Sequence, residues 1–579
     1  MATTQQRTLG DILVDNGVIT PLELDEALQR QRLTGDMLGR VLVRMGLATE
    51  QDIVEALGVQ QGMDLVDLTK ISVSDDVLRL LTADIVKFYS AVPIRERDGV
   101  VTLAMANPLD VGTLDDIRQI LGKDVKGAVS NPNDVDEFIQ QNYTFETDSI
   151  HETLEGLIEH VGDGELSLEE MGLTEINADV DNLVQLAQEP EVIKIVNLVM
   201  LEALQKRASD IHFEIYEEDF RIRIRVDGIL HEIVSPPKML AVALTSRVKI
   251  MANMDISERR LPQDARIELR VGSSDVDIRC STLPTLYGEN VVMRLLDKSA
   301  ASHDLYKLGI DEDVLKKINT IIKKPNGIFL VTGPTGSGKT TTLYSCLQEL
   351  NTTGVKIITT EDPVEIQIDR LIQVQIKEEM GLTFAGSLRA ILRQDPDIIM
   401  VGEIRDFETA QIAVEASLTG HLVLSTLHTN SAPETVTRLL DMGVEPFLIT
   451  SSLLGVLAQR LMRRVCRHCG EAYRPDEEEM DTLGLPKSWR KDPNLRFVRP
   501  TGCPSCDYVG YKGRMAIHEI MLMDETIQDM VNEKAMAYEI REYARKKQSM
   551  RTLRDQAIIR CARGLTTVEE ALANTDKVD

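Results

Sequence analysis

Gly327-Ile328-Phe329-Leu330-Val331-Thr332-Gly333-Pro334-Thr335-Gly336-Ser337-Gly338-Lys339-Thr340 decides the fold of the middle of this 579-residue chain. Its first six residues form an apolar run of strand type. The next eight match the phosphate-loop pattern G-x-x-x-x-G-K-[ST] at every specified position, and Thr341-Thr342-Leu343-Tyr344-Ser345-Cys346-Leu347 can open a helix behind them. Glycines let the backbone curl so that successive N–H groups and the helix N-terminus face phosphate oxygens. Lys339 then reaches the β- and γ-phosphates, and the Thr340 hydroxyl binds Mg²⁺. Gly333, Pro334, Thr335, Gly336, Ser337, Gly338, Lys339, Thr340 and Thr341 are the candidate nucleotide contacts. The chain is expected to bind and hydrolyse a nucleoside triphosphate.

Two more strands end in acids after this loop. Ile357-Ile358-Thr359-Thr360-Glu361-Asp362-Pro363-Val364-Glu365 is one, and Asp397-Ile398-Ile399-Met400-Val401-Gly402-Glu403-Ile404-Arg405-Asp406 the other. In open α/β sheets ligands sit at the carboxyl ends of strands, so both clusters fall where Mg²⁺ and attacking water belong. Phosphoryl transfer needs a metal on the phosphates and a carboxylate to orient water, which makes Glu361 and Glu403 the candidates. Gly420-His421-Leu422-Val423-Leu424-Ser425-Thr426-Leu427-His428-Thr429-Asn430 puts His428 just past a third strand end, where it can sense the γ-phosphate; His421, before the strand, is the weaker candidate. Arginines are dense nearby: Arg279 and Arg294 flank a strand-rich stretch before the loop, and Arg389, Arg393 and Arg405 flank the second acidic strand. A hydrolytic transition state uses such cations on the γ-phosphate.

Composition narrows the rest. Lys and Arg number 64 against 93 Asp and Glu, a net charge of −29. That balance argues against nucleic acid as a partner, because such binding relies on Lys and Arg neutralising phosphates. A nucleic-acid translocase is the distant alternative. No uninterrupted apolar run reaches the roughly 18 residues of a membrane span. The N-terminus carries no apolar signal core, so a cytoplasmic location is expected.

Residues 1–68 hold an internal repeat: Leu9-Gly10, Leu13, Gly17, Thr20 and Leu24 recur 29 positions on as Leu38-Gly39, Leu42, Gly46, Thr49 and Ile53. Each copy reads as a short helix, a glycine turn, then a helix capped by Thr with an acid three residues on, Glu23 or Asp52. Residues 69–143 alternate strand and helix patterns. Residues 144–182 carry twelve Asp or Glu and no Lys or Arg. Such a one-sign segment repels itself and is expected to be a linker. Residues 183–300 read as helix then strands, with Phe220–Val226 alternating ahead of an Asp227-Gly228 turn. Residues 301–463 hold the phosphate-loop core, 464–512 a cysteine subdomain, and 513–579 helical periodicity. The fold class is multidomain α/β.

Cys466-x-x-Cys469 and Cys503-x-x-Cys506 stand 33 residues apart. Two such knuckles supply four thiolates tetrahedrally, the arrangement of structural Zn²⁺. Four protein ligands leave no open position for substrate, so the metal's role is structural.

The segments at 333–340, 361–365, 392–406 and 420–430 resemble, in order, the Walker A, Asp box, Walker B and His box of the secretion ATPase superfamily. The resemblance implies a homohexamer using ATP, in which a PAS-like domain (183–300) closes on a RecA-like core (301–463). It implies that Glu361 is the general base and Glu403 the Walker B carboxylate on Mg²⁺. It also implies that Arg279 and Arg294 close on the γ-phosphate, with Arg389, Arg393 and Arg405 as the motor-domain arginines. The tetracysteine is similar to that of extension-type members. The stretch from Asp441 to Leu461 and the segment Arg514-Met515-Ala516-Ile517-His518-Glu519 look more like the type II secretion branch, with the type IV pilus extension branch as the alternative. Partners implied are an inner-membrane platform protein and a membrane-anchored protein with a cytoplasmic domain, so the motor is expected to be peripheral at the inner membrane. The N-terminal repeat is similar to MshEN-type modules that bind cyclic di-GMP. There each copy opens Arg-Leu-Gly, whereas Thr8 and Met37 stand here, with Arg7 and Arg40 close by. Protein docking is therefore expected in preference to cyclic di-GMP.

Overall fold

The computed structural model describes residues 7–34, 37–108, 111–143, 180–271, 274–297, 304–493 and 495–576. Two compact units divide the chain, residues 1–299 and 300–579. The acidic linker expected at 144–182 lies outside the described residues up to 179, and its end opens the helix Val180–Ala187.

The first unit begins with the repeat. Helices Leu9–Asp15 and Pro21–Thr34 are followed by Leu38–Arg44 and Glu50–Gln60. Thr20 and Thr49 donate to and accept from Glu23 and Asp52 as the capping pattern required. The repeated glycines mark close helix crossings: a Cβ on Gly10 would stand 2.6 Å from Leu24, and one on Gly39 2.8 Å from Ile53. Thr8, at the position the resemblance gives to arginine, caps its own helix through Asp11. Next come β1 (Asp64–Leu65), β2 (Ala91–Arg97), β3 (Val100–Met105) and β4 (Asp124–Val129), a sheet ordered β1-β4-β3-β2.

An antiparallel sheet follows: β5 (Asp210–Ile215), β6 (Phe220–Val226), β7 (Ile229–Val234), β8 (Gln263–Val271), β9 (Ser274–Thr285) and β10 (Gly288–Asp297), ordered β7-β6-β5-β10-β9-β8. The β6–β7 turn uses left-handed Asp227 and Gly228, as their pairing predicted. One face of the sheet packs Ile211, Phe213, Ile222, Ile224, Ile278 and Met293 in a core shared with the helices Pro190–Gln205 and Ala241–Met251. The earlier α/β part joins this core through a buried polar junction. Tyr89 donates to Asp116 at 2.7 Å, Asn197 donates to Tyr89 at 2.8 Å, and Arg247, 5% exposed, pairs with Asp116 at 2.5 Å.

The second unit is built on β11 (Gly327–Thr332), β12 (Ile357–Glu361), β13 (Leu371–Gln375), β14 (Ile398–Val401), β15 (Leu422–Leu427), β16 (Leu453–Val465) and β19 (Tyr511–Leu522). Between the last two lie the short β17 (Gly470–Tyr473) and β18 (Phe497–Pro500), which pair with each other. The order of the seven is β13-β12-β14-β15-β11-β16-β19, with every pair parallel except β16–β19. β11 is buried throughout, and its side chains alternate between two cores, Ile328 and Leu330 in one, Phe329 and Val331 in the other. That two-sided burial is why the run before the phosphate loop is apolar without alternation. The expectation separated 464–512 and 513–579 from the core. In the structure the cysteine knuckles form an excursion from the sheet, and β19 returns to close its edge before the C-terminal helices begin.

Candidate functional site

The phosphate loop leaves the end of β11 and enters the helix Lys339–Leu350. Gly336 and Gly338 adopt φ of 77° and 86°, a region that side chains avoid. Lys339 Nζ donates to Gly333 O at 2.8 Å and Pro334 O at 3.0 Å, so it folds back over its own loop. Burial pulls its ammonium below the ordinary lysine value, Glu403 works against that shift, and Arg460 adds to it. Thr340 and Thr341 are exposed at the helix start.

Three of the expected residues meet at neighbouring strand ends. Glu403, just past β14, accepts from Arg405 Nε at 3.0 Å and lies 3.0 Å from His428 Nε2, just past β15. Arg405 also lies 3.7 Å from Asp362. The strands bring these residues together because β14 sits between β12 and β15 in register. Glu361 ends β12 but turns inward. It is 3% exposed and accepts from Tyr344, Thr359 and Gln373. Three donors on one buried carboxylate fix its orientation. Arg389 is paired with Glu408, and Arg393 donates to Arg389 O at 2.8 Å, so these two form their own group on and beside the helix Phe384–Ile391. His421 is tied to Ala416 O at 2.8 Å, a structural role.

In the first unit, Arg279 and Arg294 are cross-strand partners, and the row they form is longer than the sequence disclosed. Arg225, Asp210, Arg294, Arg279 and Arg266 stand in register on β6, β5, β10, β9 and β8. Arg294 donates to the buried Asp210 at 2.9 Å, and Arg225 lies 3.6 Å from the same carboxylate. Like charges directly opposite one another destabilise a sheet, and in this row Asp210 offsets the charge of Arg294 and Arg225 at one end. Only the register of five strands reveals Arg225 and Arg266.

Sequence reasoning also missed two residues of β16. Arg460 donates to Asn430, in the loop that carries His428, at 2.7 Å. Gln459, 3% exposed, donates to Ser337 O at 2.7 Å and accepts from Thr342 Oγ1 at 2.7 Å. Both lie within the stretch from Asp441 to Leu461, in the largely apolar run from Leu453, and local spacing gives no signal for either.

The four cysteines converge. Their sulfurs all lie within 4.8 Å of one another, with Cys466–Cys503 at 3.9 Å and Cys469–Cys506 and Cys503–Cys506 at 3.7 Å. A tetrahedral zinc with bonds of about 2.3 Å sets its sulfurs about 3.8 Å apart, so the donor set fits that ion. Burial pushes the Cys506 thiol up, but backbone N–H groups of Cys503 and Gly510 outweigh it and bring the thiol to about 7. No helix among the described residues is long and apolar enough to cross a membrane.

The family profile described as type II/IV secretion system protein matches residues 185–573, and that of the MshEN domain matches residues 61–149. The chain is 43% identical over 570 residues to the type IV pilus assembly ATPase PilB of Myxococcus xanthus, covering 98% of each. It is 42% identical over 570 residues to the type II secretion system protein E of Xanthomonas campestris pv. campestris, again covering 98% of each. With the type II secretion system ATPase E of Vibrio cholerae it shares 49% identity over 416 residues, 70% of this chain and 82% of that one.

Proposed function

The chain belongs to the type II/IV secretion system protein family, and from that premise we propose that it powers type II protein secretion as a homohexameric motor. It is an ATPase of the secretion and pilus assembly type. The observation that carries the motor reading is the meeting of Glu403, Arg405 and His428 at strand ends, beside a lysine that feels the Glu403 charge.

The phosphate loop from Gly333 to Thr341 holds the triphosphate, and Lys339 leaves its own carbonyls to reach the β- and γ-oxygens. The Thr340 hydroxyl and the Glu403 carboxylate are hard oxygen donors suited to Mg²⁺, which when bound neutralises charge on those oxygens. His428 and Arg405 hold Glu403 in place. Glu361 takes the proton of the attacking water once its carboxylate turns from Tyr344 toward the strand end. Arg294 exchanges Asp210 for the γ-phosphate, joined by Arg279, while Arg389, Arg393 and Arg405 supply further cations. The four cysteines hold zinc as a brace. Work is delivered to a platform protein and a membrane-anchored partner at the inner membrane, with the N-terminal domains docking on protein in preference to cyclic di-GMP.

Pilus extension is the second reading, since the chain matches the Myxococcus xanthus protein over 570 residues, as it does the Xanthomonas campestris one. A tagged pull-down from native membranes tests the choice: a secretion-type anchor and platform support the first reading, pilus platform and alignment proteins the second. Lys339→Ala is expected to abolish turnover while fold and zinc content persist. Turnover at the wild-type rate in that variant overturns the phosphate-loop assignment.

A further inference from the structure

The phosphate loop is held from outside by a side chain of the neighbouring strand. Gln459 lies on β16, one position beyond its last pairing with β11 at Thr332–Ala458. Its backbone and side chain together make a floor for the loop. A Cβ on Gly333 would stand 2.4 Å from Gln459 O, and one on Gly338 2.9 Å from Gln459 Nε2. The two glycines of the motif therefore serve Gln459 as well as the nucleotide, because they let the loop lie directly on this residue.

The amide of Gln459 is read in one orientation only. Ser337 O can only accept, so Nε2 faces it and donates, and Oε1 accepts from the hydroxyl of Thr342 in the first turn of the loop's helix. Both bonds are 2.7 Å and buried. In a planar trans peptide the carbonyl and the following N–H point in opposite directions. Holding Ser337 O against β16 therefore aims the Gly338 N–H away from β16, into the concave side of the loop. That N–H is one of the dipoles a phosphate needs.

We propose that Gln459 is a positioning residue of the nucleotide site: it fixes the Ser337–Gly338 peptide so that the phosphate cradle exists before nucleotide arrives. The inference rests on the reading of residues 333–341 as the phosphate site and adds a residue outside that loop. A preformed cradle saves the cost of ordering flexible glycines on binding. Its loss weakens ground state and transition state together, so the effect falls on KM and on product affinity rather than on kcat.

The test measures MgADP affinity by calorimetry and ATP turnover on the full chain for wild type, Gln459→Met, Gln459→Glu, Thr342→Val and Lys339→Ala. Zinc content and melting without nucleotide serve as checks of folding. Gln459→Met keeps the volume and removes both bonds. Gln459→Glu keeps the acceptor for Thr342 and turns an oxygen toward Ser337 O. Each is expected to weaken MgADP and raise KM for ATP about tenfold, the worth of one buried hydrogen bond. Thr342→Val, which leaves Oε1 without its donor and loosens the side chain, costs about threefold on the same reasoning. Wild-type affinity in folded Gln459→Met or Gln459→Glu overturns the proposal. If Gln459→Met fails to fold, Gln459→Glu decides it alone, and if both fail, unchanged affinity in Thr342→Val is fatal. Absence of MgADP binding by wild type, or unimpaired binding by Lys339→Ala, is a different result: it removes the phosphate-loop reading itself.

Discussion

Replacing Glu519 with glutamine tests a buried carboxyl in the second unit. Glu519 stands on β19, 2% exposed, and accepts from Ala432 N at 2.8 Å and Leu553 N at 3.3 Å. Those are the first residues of the helices Ala432–Asp441 and Leu553–Ala562, so one carboxylate serves two helix N-termini. Burial pushes its carboxyl from 4.5 to about 7, against the two N–H donors and Arg541. The folded state thus holds the proton more tightly than the unfolded chain. This contribution to stability is full below pH 4.5 and is lost as pH rises through 7, about 2.5 kcal/mol of it between pH 5 and pH 8. The neighbouring His518 opposes this. Burial holds it at about 4, from 6.5, so it withdraws about 2 kcal/mol as pH falls from 8 to 5. The two nearly cancel in the native chain. Glu519→Gln removes one side only, and the lost acceptor geometry adds a pH-independent cost of about 1–3 kcal/mol. The chain's single tryptophan, Trp489, lies in the second unit and reports its unfolding. Denaturation followed by its fluorescence at pH 5, 6, 7 and 8, at fixed ionic strength, is expected to show the variant losing about 2.5 kcal/mol relative to wild type from pH 8 to pH 5. A difference that stays constant across that range refutes the assignment of a protonated, buried Glu519.

The junction in the first unit makes a sharper claim about pairing. Asp116→Ala leaves Arg247 buried without its carboxylate, and denaturation is expected to show a loss of about 3 kcal/mol, with Arg247→Met in the same chain recovering part of it. The cysteine site predicts about one zinc per chain by elemental analysis. Cys506→Ser is expected to reduce that severalfold and to lower the melting temperature of the second unit, and chelation of wild type is expected to reproduce the fall.

What was legible in the sequence was local. The phosphate loop, the capping boxes at Thr20 and Thr49 and the paired cysteines are each fixed by residues a few positions apart, so spacing alone states their geometry. The acidic strand ends were legible because a parallel sheet forces its carboxyl ends to one side. What escaped depends on register between distant strands. Arg225 and Arg266 join Arg279 and Arg294 only once five strands are aligned, and a slip of one residue would send any of them to the apolar face. Likewise β19 is 46 residues past the end of β16, and only the antiparallel return places Glu519 opposite Ala458.

That return also explains why Gln459, Arg460 and Glu519 cluster. Ala458, Gln459 and Arg460 follow one another on β16, and a strand sends successive side chains to opposite faces. Gln459 grips the phosphate loop and Arg460 the loop of His428, while Glu519, across from Ala458, holds the helix that this second loop enters. The phosphate-loop motif and the loop of His428 are therefore both fastened to the β16–β19 ladder, whose far end runs into the knuckle at Cys466. The loops carry the chemistry and a motif to be read. The ladder carries their positions, and its residues look like ordinary strand until the sheet is assembled. A site assembled from separate loops needs a fixed reference for them, and the ladder is the element both loops share.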